Sequence, residues 1–435
     1  MRTVWRVLTM GGTIVATLLV LPSYSAAQDT SPRLRTLYSF RGGSDGSAPI
    51  DGVVIGPGRV LYGTTEVGGT SNNGTVFSLP PPASPGGVWT EVVLHSFAGA
   101  PNDGATPTAS VAIGPDGALY GTTYYGGTFN NGTVFSLTPP ASPGGQWTET
   151  VLHSFTGAPN RGANPEAGLV IGRGGVLYGT TFAGGVANGF INGTVFTLIP
   201  PASPGGPWTE TVIHSFSGSD GGNPFGGVVI GGGEVLYGTT LDGGTAGGGT
   251  VFSLTPPAHA GGTWTEAELY SFSGGGEGGN PYGGVVIGNG GELYGTTFGG
   301  GASNFGTAFS LTPPASPAGS WTETVLHNFG DSPHDGMSPT STLAIGSDGV
   351  LYGTTQSGGS PSSICPEGMG SCGTVFSLKP PASSGSAWTE SILHSFNSTD
   401  GAGPFAGVVV GRGTLYGTTT SGGTANSGTV FALMP

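Results

Sequence analysis

Six carboxylates recur at one place in the sequence: Asp45, Asp103, Asp220, Glu277, Asp335 and Asp400, each followed by glycine in a link that then reaches a proline. Arg161 takes the seventh such place. Carboxylates gathered on one face would suit Ca²⁺, which takes about six to eight oxygen ligands. Asp-Gly is equally ordinary turn chemistry, in which the carboxylate accepts hydrogen bonds from its own backbone. No link has the dense oxygen spacing of a calcium loop, so the turn reading leads and no cofactor is assigned; Ca²⁺ is the one ion the pattern would admit.

Aromatic residues fall in the same and neighbouring links: Tyr124, Tyr125, Phe129, Phe182, Phe190, Phe298 and Phe305 in one set, Phe225, Tyr282 and Phe405 in the other. Asn72, Asn73, Asn130, Asn131, Asn188 and Asn192 lie among them. Aromatic faces stack on sugar rings and side-chain amides bond hydroxyls, so this set would bind a glycan. The competing reading is that the aromatics pack between neighbouring structural units. Asp45, Asp103, Asp220, Asp335, Asp400, Tyr124, Tyr125, Phe182 and Arg161 are therefore the candidate ligand-binding residues, and no catalytic or metal-ligating residue is assigned.

His95, His153, His214, His327 and His394 occupy one strand position, with Tyr38 and Tyr270 in their place elsewhere. Equivalent positions in separate units stand too far apart for ligand bonds of about 2 Å, and Tyr is a poor substitute, so these residues read as structural. Cys365 and Cys372 bound a single insertion and read as a disulfide in an exported chain. Gly42-Gly43-Ser44-Asp45-Gly46 fits a nucleophile-elbow pattern but lies in a link between strands. Lys379 lacks the preceding glycines of a phosphate loop.

The elements that must hold these residues come from a repeat. Leu-Tyr-Gly-Thr-Thr begins at Leu61, Leu119, Leu177, Leu236, Leu293, Leu351 and Leu415, at spacings of 58, 58, 59, 57, 58 and 64 residues. Each copy holds four strand-like segments, in the first copy Gly52–Gly56, Val60–Thr65, Thr75–Leu79 and Trp89–Phe97. A short Pro57-Gly58 turn joins the first pair, and a proline-rich link that cannot join a sheet divides the last pair. The 89 glycines and 35 prolines fall in register between apolar runs, which marks an ordered, turn-rich chain rather than low complexity.

Four antiparallel strands repeated radially describe a propeller blade. The sequence opens with an outer strand, Arg35–Phe40, that lacks its own first three, and closes with a third strand, Thr429–Leu433, that lacks its fourth. Ring closure explains that complementarity, whereas an open solenoid would need capping units. The expectation is an all-β, seven-bladed β-propeller of four-stranded blades, closed by the N-terminal strand joining the last blade, with residues 28–435 forming one domain. Antiparallel order then places the links carrying the candidate residues on one rim.

The units Leu-Tyr-Gly-Thr-Thr, Gly-Thr-Val-Phe-Ser-Leu and Trp-Thr-Glu…Leu-His-Ser-Phe resemble the GloVer tandem repeat of exported bacterial proteins, over roughly residues 34 to 435. The resemblance implies an exported repeat protein and transfers no activity. Members of that family pair the repeats with a surface anchor, and no hydrophobic tail or basic cluster precedes Pro435 here.

Arg2 and Arg6, the apolar run Val7–Leu21 and the small residues Ser25-Ala26-Ala27 read as a signal peptide over residues 1–27, shorter in its apolar run than a bilayer span. Cleavage before Gln28 removes two of 10 basic and none of 24 acidic residues, taking the net charge from −14 to about −16. That balance excludes nucleic acid and disfavours anionic membrane surfaces. The protein is expected outside the cytoplasm, secreted or periplasmic, without a membrane anchor. Its expected role is a non-catalytic module that binds polysaccharide or another surface polymer. The alternative is a hydrolase or lyase acting on glycans at the channel mouth, with Arg161, Glu166 and Phe190 as the residues to test.

Overall fold

The computed structural model describes residues 32–435 except 85, 143, 158–160, 186–191, 204, 260, 317–318, 361–364, 366–370 and 384–385. The expected signal segment with its cut before Gln28, and the candidates Asn188 and Phe190, lie outside the described residues. Seven four-stranded antiparallel sheets form the blades of a propeller. The first blade runs Val54–Ile55, Leu61–Thr65, Thr75–Leu79 and Val92–Ser96 from axis to edge. The seventh runs Val409–Gly411, Thr414–Thr419 and Thr429–Met434, and its fourth strand is Arg33–Ser39. Leu34 pairs with Leu433 and Thr36 with Phe431, so the expected closure by the N-terminal strand is present.

Two observed boundaries differ from the sequence expectation. Only two residues of each first strand pair in blades one to six, because the residues before them lie against the neighbouring blade. These are glycines in blades one, three, four and five, and Ala109-Ser110 and Ser341-Thr342 in blades two and six. A Cβ on Gly226, for example, would stand 2.5 Å from the backbone nitrogen of Gly284 in the next blade. The outer strands begin after the tryptophan, at Thr148 or Thr209, since the indole packs sideways against a tyrosine of the previous blade; the Tyr120 and Trp208 ring centres are 6.1 Å apart.

The Leu-Tyr-Gly-Thr-Thr motif explains how blades attach. Its first threonine donates to a carbonyl at the start of the next blade: Thr64 to Ala109 (2.9 Å), Thr122 to Ala167 (2.9 Å), and round to Thr418 with Asp51 (3.0 Å). Its second threonine stays inside the blade, as Thr65 does with the hydroxyl of Thr75 at 2.8 Å. Buried phenylalanines make the apolar half of each joint. Phe97 of the first blade meets Phe135 of the second edge-on at 5.1 Å, and Phe40 of the closing strand meets Phe77 at 5.2 Å. Seven core clusters result, and most draw on two neighbouring blades.

A β-bulge interrupts every pairing of third and fourth strands. Val76 faces His95 and Phe77 faces Val93, which leaves Leu94 as the extra residue. The bulge re-aims the strand end, so that His95 leans edge-on over Phe97 at 4.8 Å and reaches the following link.

Candidate functional site

The links between fourth and first strands, and between second and third strands, do share one rim. Pairings such as Gly162–Ala163 with Ala183–Gly184 and Ser47 with Val67 join them. The residue before each link proline takes a left-handed conformation, even at β-branched Thr106 (φ 58°), a strained choice that only a fixed surrounding maintains. Its N–H donates to Asn73 of the previous blade and its carbonyl accepts from Tyr124, at 2.8 and 2.9 Å. Two positions per blade are thereby set side by side at the axial mouth: the residue after the proline and the residue after Thr-Thr.

Those two positions are where the blades differ. An axial cavity of about 400 Å³ is lined from all seven blades. Blades three, four, five and seven supply an aromatic arc at its mouth. Phe225 meets Tyr282 at 5.0 Å and Phe405 at 5.9 Å, Tyr282 meets Phe298 at 5.0 Å, and Phe182 meets Phe225 at 6.4 Å. All five rings are half-buried. Blades one to three supply a polar arc of Glu66, Tyr124 and Glu166. Burial, with the Glu66 charge adding to it, pushes the Glu166 carboxyl up to about 7. Burial also raises Glu66, and burial together with the Glu166 charge raises Tyr124.

The candidate aspartates are one to a blade, and each is committed to its own link. Asp103 accepts from the Ala98 N–H (2.7 Å) and faces His95 Nε2 (3.1 Å). Asp220 pairs with His214 at 3.1 Å, Asp335 with His327 at 3.2 Å and Asp400 with His394 at 3.0 Å. Asp45 accepts from Tyr38 Oη (2.9 Å) and the Arg41 N–H (3.0 Å), and Glu277 from the backbone and hydroxyl of Ser273. Burial would raise the Asp220 carboxyl, but hydrogen bonds from His214 and Ser217 hold it down at about 2. Where Arg161 replaces the aspartate, it bonds Glu210 at 2.6 Å, and His153, buried beside that cation, falls to about 4.

Tyr124 and Tyr125 touch edge-on at 4.6 Å, and Phe182 joins the aromatic arc through Phe225. Tyr125, Phe129 and Phe305 are exposed at 44%, 56% and 41% on the outer rim. The link asparagines hold turns: Asn72 accepts from Gly68 N–H at 3.0 Å and Asn131 donates to the Thr156 carbonyl at 2.9 Å. Cys365 and Cys372 form the expected disulfide, with Cα atoms 5.4 Å apart.

Among the described residues, two sets bring three donor atoms within 4.8 Å of one another and could hold a metal: His95, Asp103 and Glu149, and His327, Asp335 and Glu390. Glu149 and Glu390 belong to the Trp-Thr-Glu signature, whose glutamates each bury one carboxylate oxygen without a hydrogen-bond partner. Reading that glutamate as part of a repeat signature hid its role between blades. Glu66 was missed for another reason. It carries no motif of its own, though its offset from Thr-Thr equals that of Tyr124 and Phe182.

No curated protein matches the chain. Solved structures similar to it include the Trypanosoma rangeli sialidase, at 14% identity over 95% of this chain and TM-score 0.45. The chain spans 60% of the length of that sialidase. The polysaccharide lyase Uly1 is similar at 12% identity, covering 95% of this chain and 93% of the lyase with TM-score 0.47. A PL25 ulvan lyase is similar at 9% identity, covering 89% and 83% with TM-score 0.33. The model of the Gloeobacter/Verrucomicrobia repeat matches residues 23–196 and 188–431, and the chain belongs to that family.

Proposed function

We propose that this propeller is an exported module that binds polysaccharide or another surface polymer at the rim of its axial mouth. The observation that carries the reading is the arc of Phe182, Phe225, Tyr282, Phe298 and Phe405, whose half-buried rings from four blades meet at one opening. Packing between blades is already performed by the recurring phenylalanine pairs such as Phe97 with Phe135, so these rings are additional to what the fold needs. Saccharides present apolar faces that stack on such surfaces. The disulfide suits an oxidising compartment. Among the described residues no helix is long and apolar enough to cross a membrane. Scattered Arg and a single Lys leave no basic stripe for nucleic acid. Affinity electrophoresis through gels containing neutral, anionic or cationic polysaccharides, with and without Ca²⁺, tests the reading. Wild type is retarded by at least one gel, and the Phe225→Ala/Tyr282→Ala variant migrates freely. Equal migration of both proteins in every gel overturns it.

A second reading, a glycan hydrolase or lyase at the same mouth, is favoured by Glu166. A carboxyl held at about 7 beside Glu66 and Tyr124 matches what a general acid needs near neutral pH. New reducing ends, or unsaturated products absorbing in the ultraviolet, that disappear with Glu166→Gln would support it. Their absence across the same polysaccharides removes it.

A further inference from the structure

The polar arc at the mouth has a charge of one sign only. Glu166 lines the axial cavity together with Phe225, Tyr282 and Phe405, and no Lys, Arg or His is among the residues that line it. Glu66 stands close enough for its charge to act on Glu166. Among the described residues, neither glutamate belongs to an ion pair. Arg161 lies in the same link as Glu166 but is held by Glu210 at 2.6 Å. The Thr108 side chain hydrogen-bonds the Glu166 carboxylate, but among the described residues no ion-paired cation offsets the desolvation of either glutamate. The aromatic rings nearby contribute in the same direction, since the faces of Phe and Tyr carry negative potential and attract cations. An anionic sugar would meet two carboxylates and no counter-charge, so acidic polysaccharides are disfavoured here.

We infer that the mouth selects glycans bearing ammonium groups, an amino-sugar polymer with free or alkylated amines, whose positive charge meets Glu66 and Glu166 while its ring faces lie on the aromatic arc. This inference rests on the polysaccharide-binding reading and adds the class of ligand. Phe182 connects the two arcs: it follows Thr-Thr in the blade that carries Glu166, and its ring touches Phe225 at 6.4 Å. A glycan chain crossing the mouth can therefore present amines to one arc and apolar faces to the other.

The test uses the full mature chain and three β-1,4-linked glucosamine oligomers of equal length: free amine, N-acetylated and N-trimethylated. The last keeps its charge at any pH. Isothermal titration is run at about pH 8 and low salt, where a carboxyl raised to about 7 is ionised. It should rank the N-trimethylated oligomer at least about tenfold tighter than the acetylated one, with the free-amine oligomer, largely deprotonated there, in between and the gap closing at high ionic strength. In Glu66→Gln/Glu166→Gln, shown by melting to be folded, the ratio of charged to acetylated affinity should fall towards one. Acetylated oligomers binding as tightly as charged ones in wild type would overturn the inference and leave the polysaccharide reading intact. Retention of the full ratio in the double variant would also overturn it, by placing the selectivity elsewhere. Failure of all three oligomers, with a neutral or acidic polysaccharide bound, likewise overturns the charge selection alone; failure of every saccharide overturns both.

Discussion

Replacing Phe40 by alanine should destabilise the propeller as much as the same change at Phe97, although Phe40 lies in a strand far from the rest of its blade in sequence. Both rings are fully buried and both meet the next blade's phenylalanine edge-on, at 5.2 and 5.1 Å. Phe40 also shares its core cluster with Leu61, Leu79 and Val430, so its loss opens a cavity between the last blade and the first. Truncating a core Phe costs about 3–5 kcal/mol. With an unfolding entropy of about 2.1 cal/mol/K per residue, a domain of roughly 400 residues loses about 1 °C of melting temperature per kcal/mol. A drop of about 4–6 °C is therefore expected for each variant. Removal of the whole strand Arg33–Ser39 should cost much more and expose the Thr429–Met434 edge, giving oligomers by strand addition. Calorimetry and size-exclusion chromatography check both. If Phe40→Ala melts within about 1 °C of wild type while Phe97→Ala falls by the full amount, the closing strand is not docked in solution.

Glu149 and Glu390, each with a buried oxygen that accepts no hydrogen bond, are pushed up to about 7 by burial. A carboxyl whose folded pKa is raised favours the fold below its unfolded value near 4.5 and loses that advantage as pH climbs through about 7. Glu149→Gln/Glu390→Gln should thus melt higher than wild type at pH 8 and equally at pH 4; a gap that is the same at both values would refute burial as the cause. Labelling of denatured, unreduced protein should find no free thiol, and Cys365→Ser/Cys372→Ser should lose about 2 kcal/mol, mostly locally. Two labelled thiols in wild type would contradict the pairing. Calcium should leave the melting temperature unchanged, because the rim aspartates already spend their oxygens on turn N–H groups and His or Tyr partners; a rise of several degrees would expose a site built otherwise. Mass spectrometry of culture fractions should find a mature N-terminus at or near Gln28, and intact Met1 on cytoplasmic protein would end that expectation.

Repetition made the architecture readable. Seven Leu-Tyr-Gly-Thr-Thr copies, with a spare outer strand at one end and a missing one at the other, pointed to a closed ring, and Leu34 paired with Leu433 answers that expectation. What could not be read depends on contacts between units. The bulge at Leu94 has no turn residue to announce it, yet it aims His95 at Asp103. The link aspartates, met as a row of identical residues, looked like a shared surface because sequence does not say that each has a histidine or tyrosine within its own blade. Once those pairs are known, the exception at blade three follows: Arg161 cannot pair with His153 and turns to Glu210 instead. The meeting of Phe225, Tyr282 and Phe405 depends on the radius of the ring, a quantity no single repeat encodes.

The clasp between Arg33–Ser39 and Thr429–Met434 joins segments roughly 400 residues apart, the longest-range pairing among the described strands. Each of the other six blades is complete in itself and needs only its neighbours, so blades can form in order as the polypeptide emerges. The first strand alone has to wait. Until the last blade appears it remains a loose sticky end, and the growing ring is an open horseshoe. A chain whose last blade is still being made is therefore unlocked, and the protein reaches its final resistance to proteolysis only after the seventh blade is complete. At high local concentration the waiting strand has a second destination, the unclasped seventh blade of another copy, and crowding while the ring is still open is the condition under which linked rings would form.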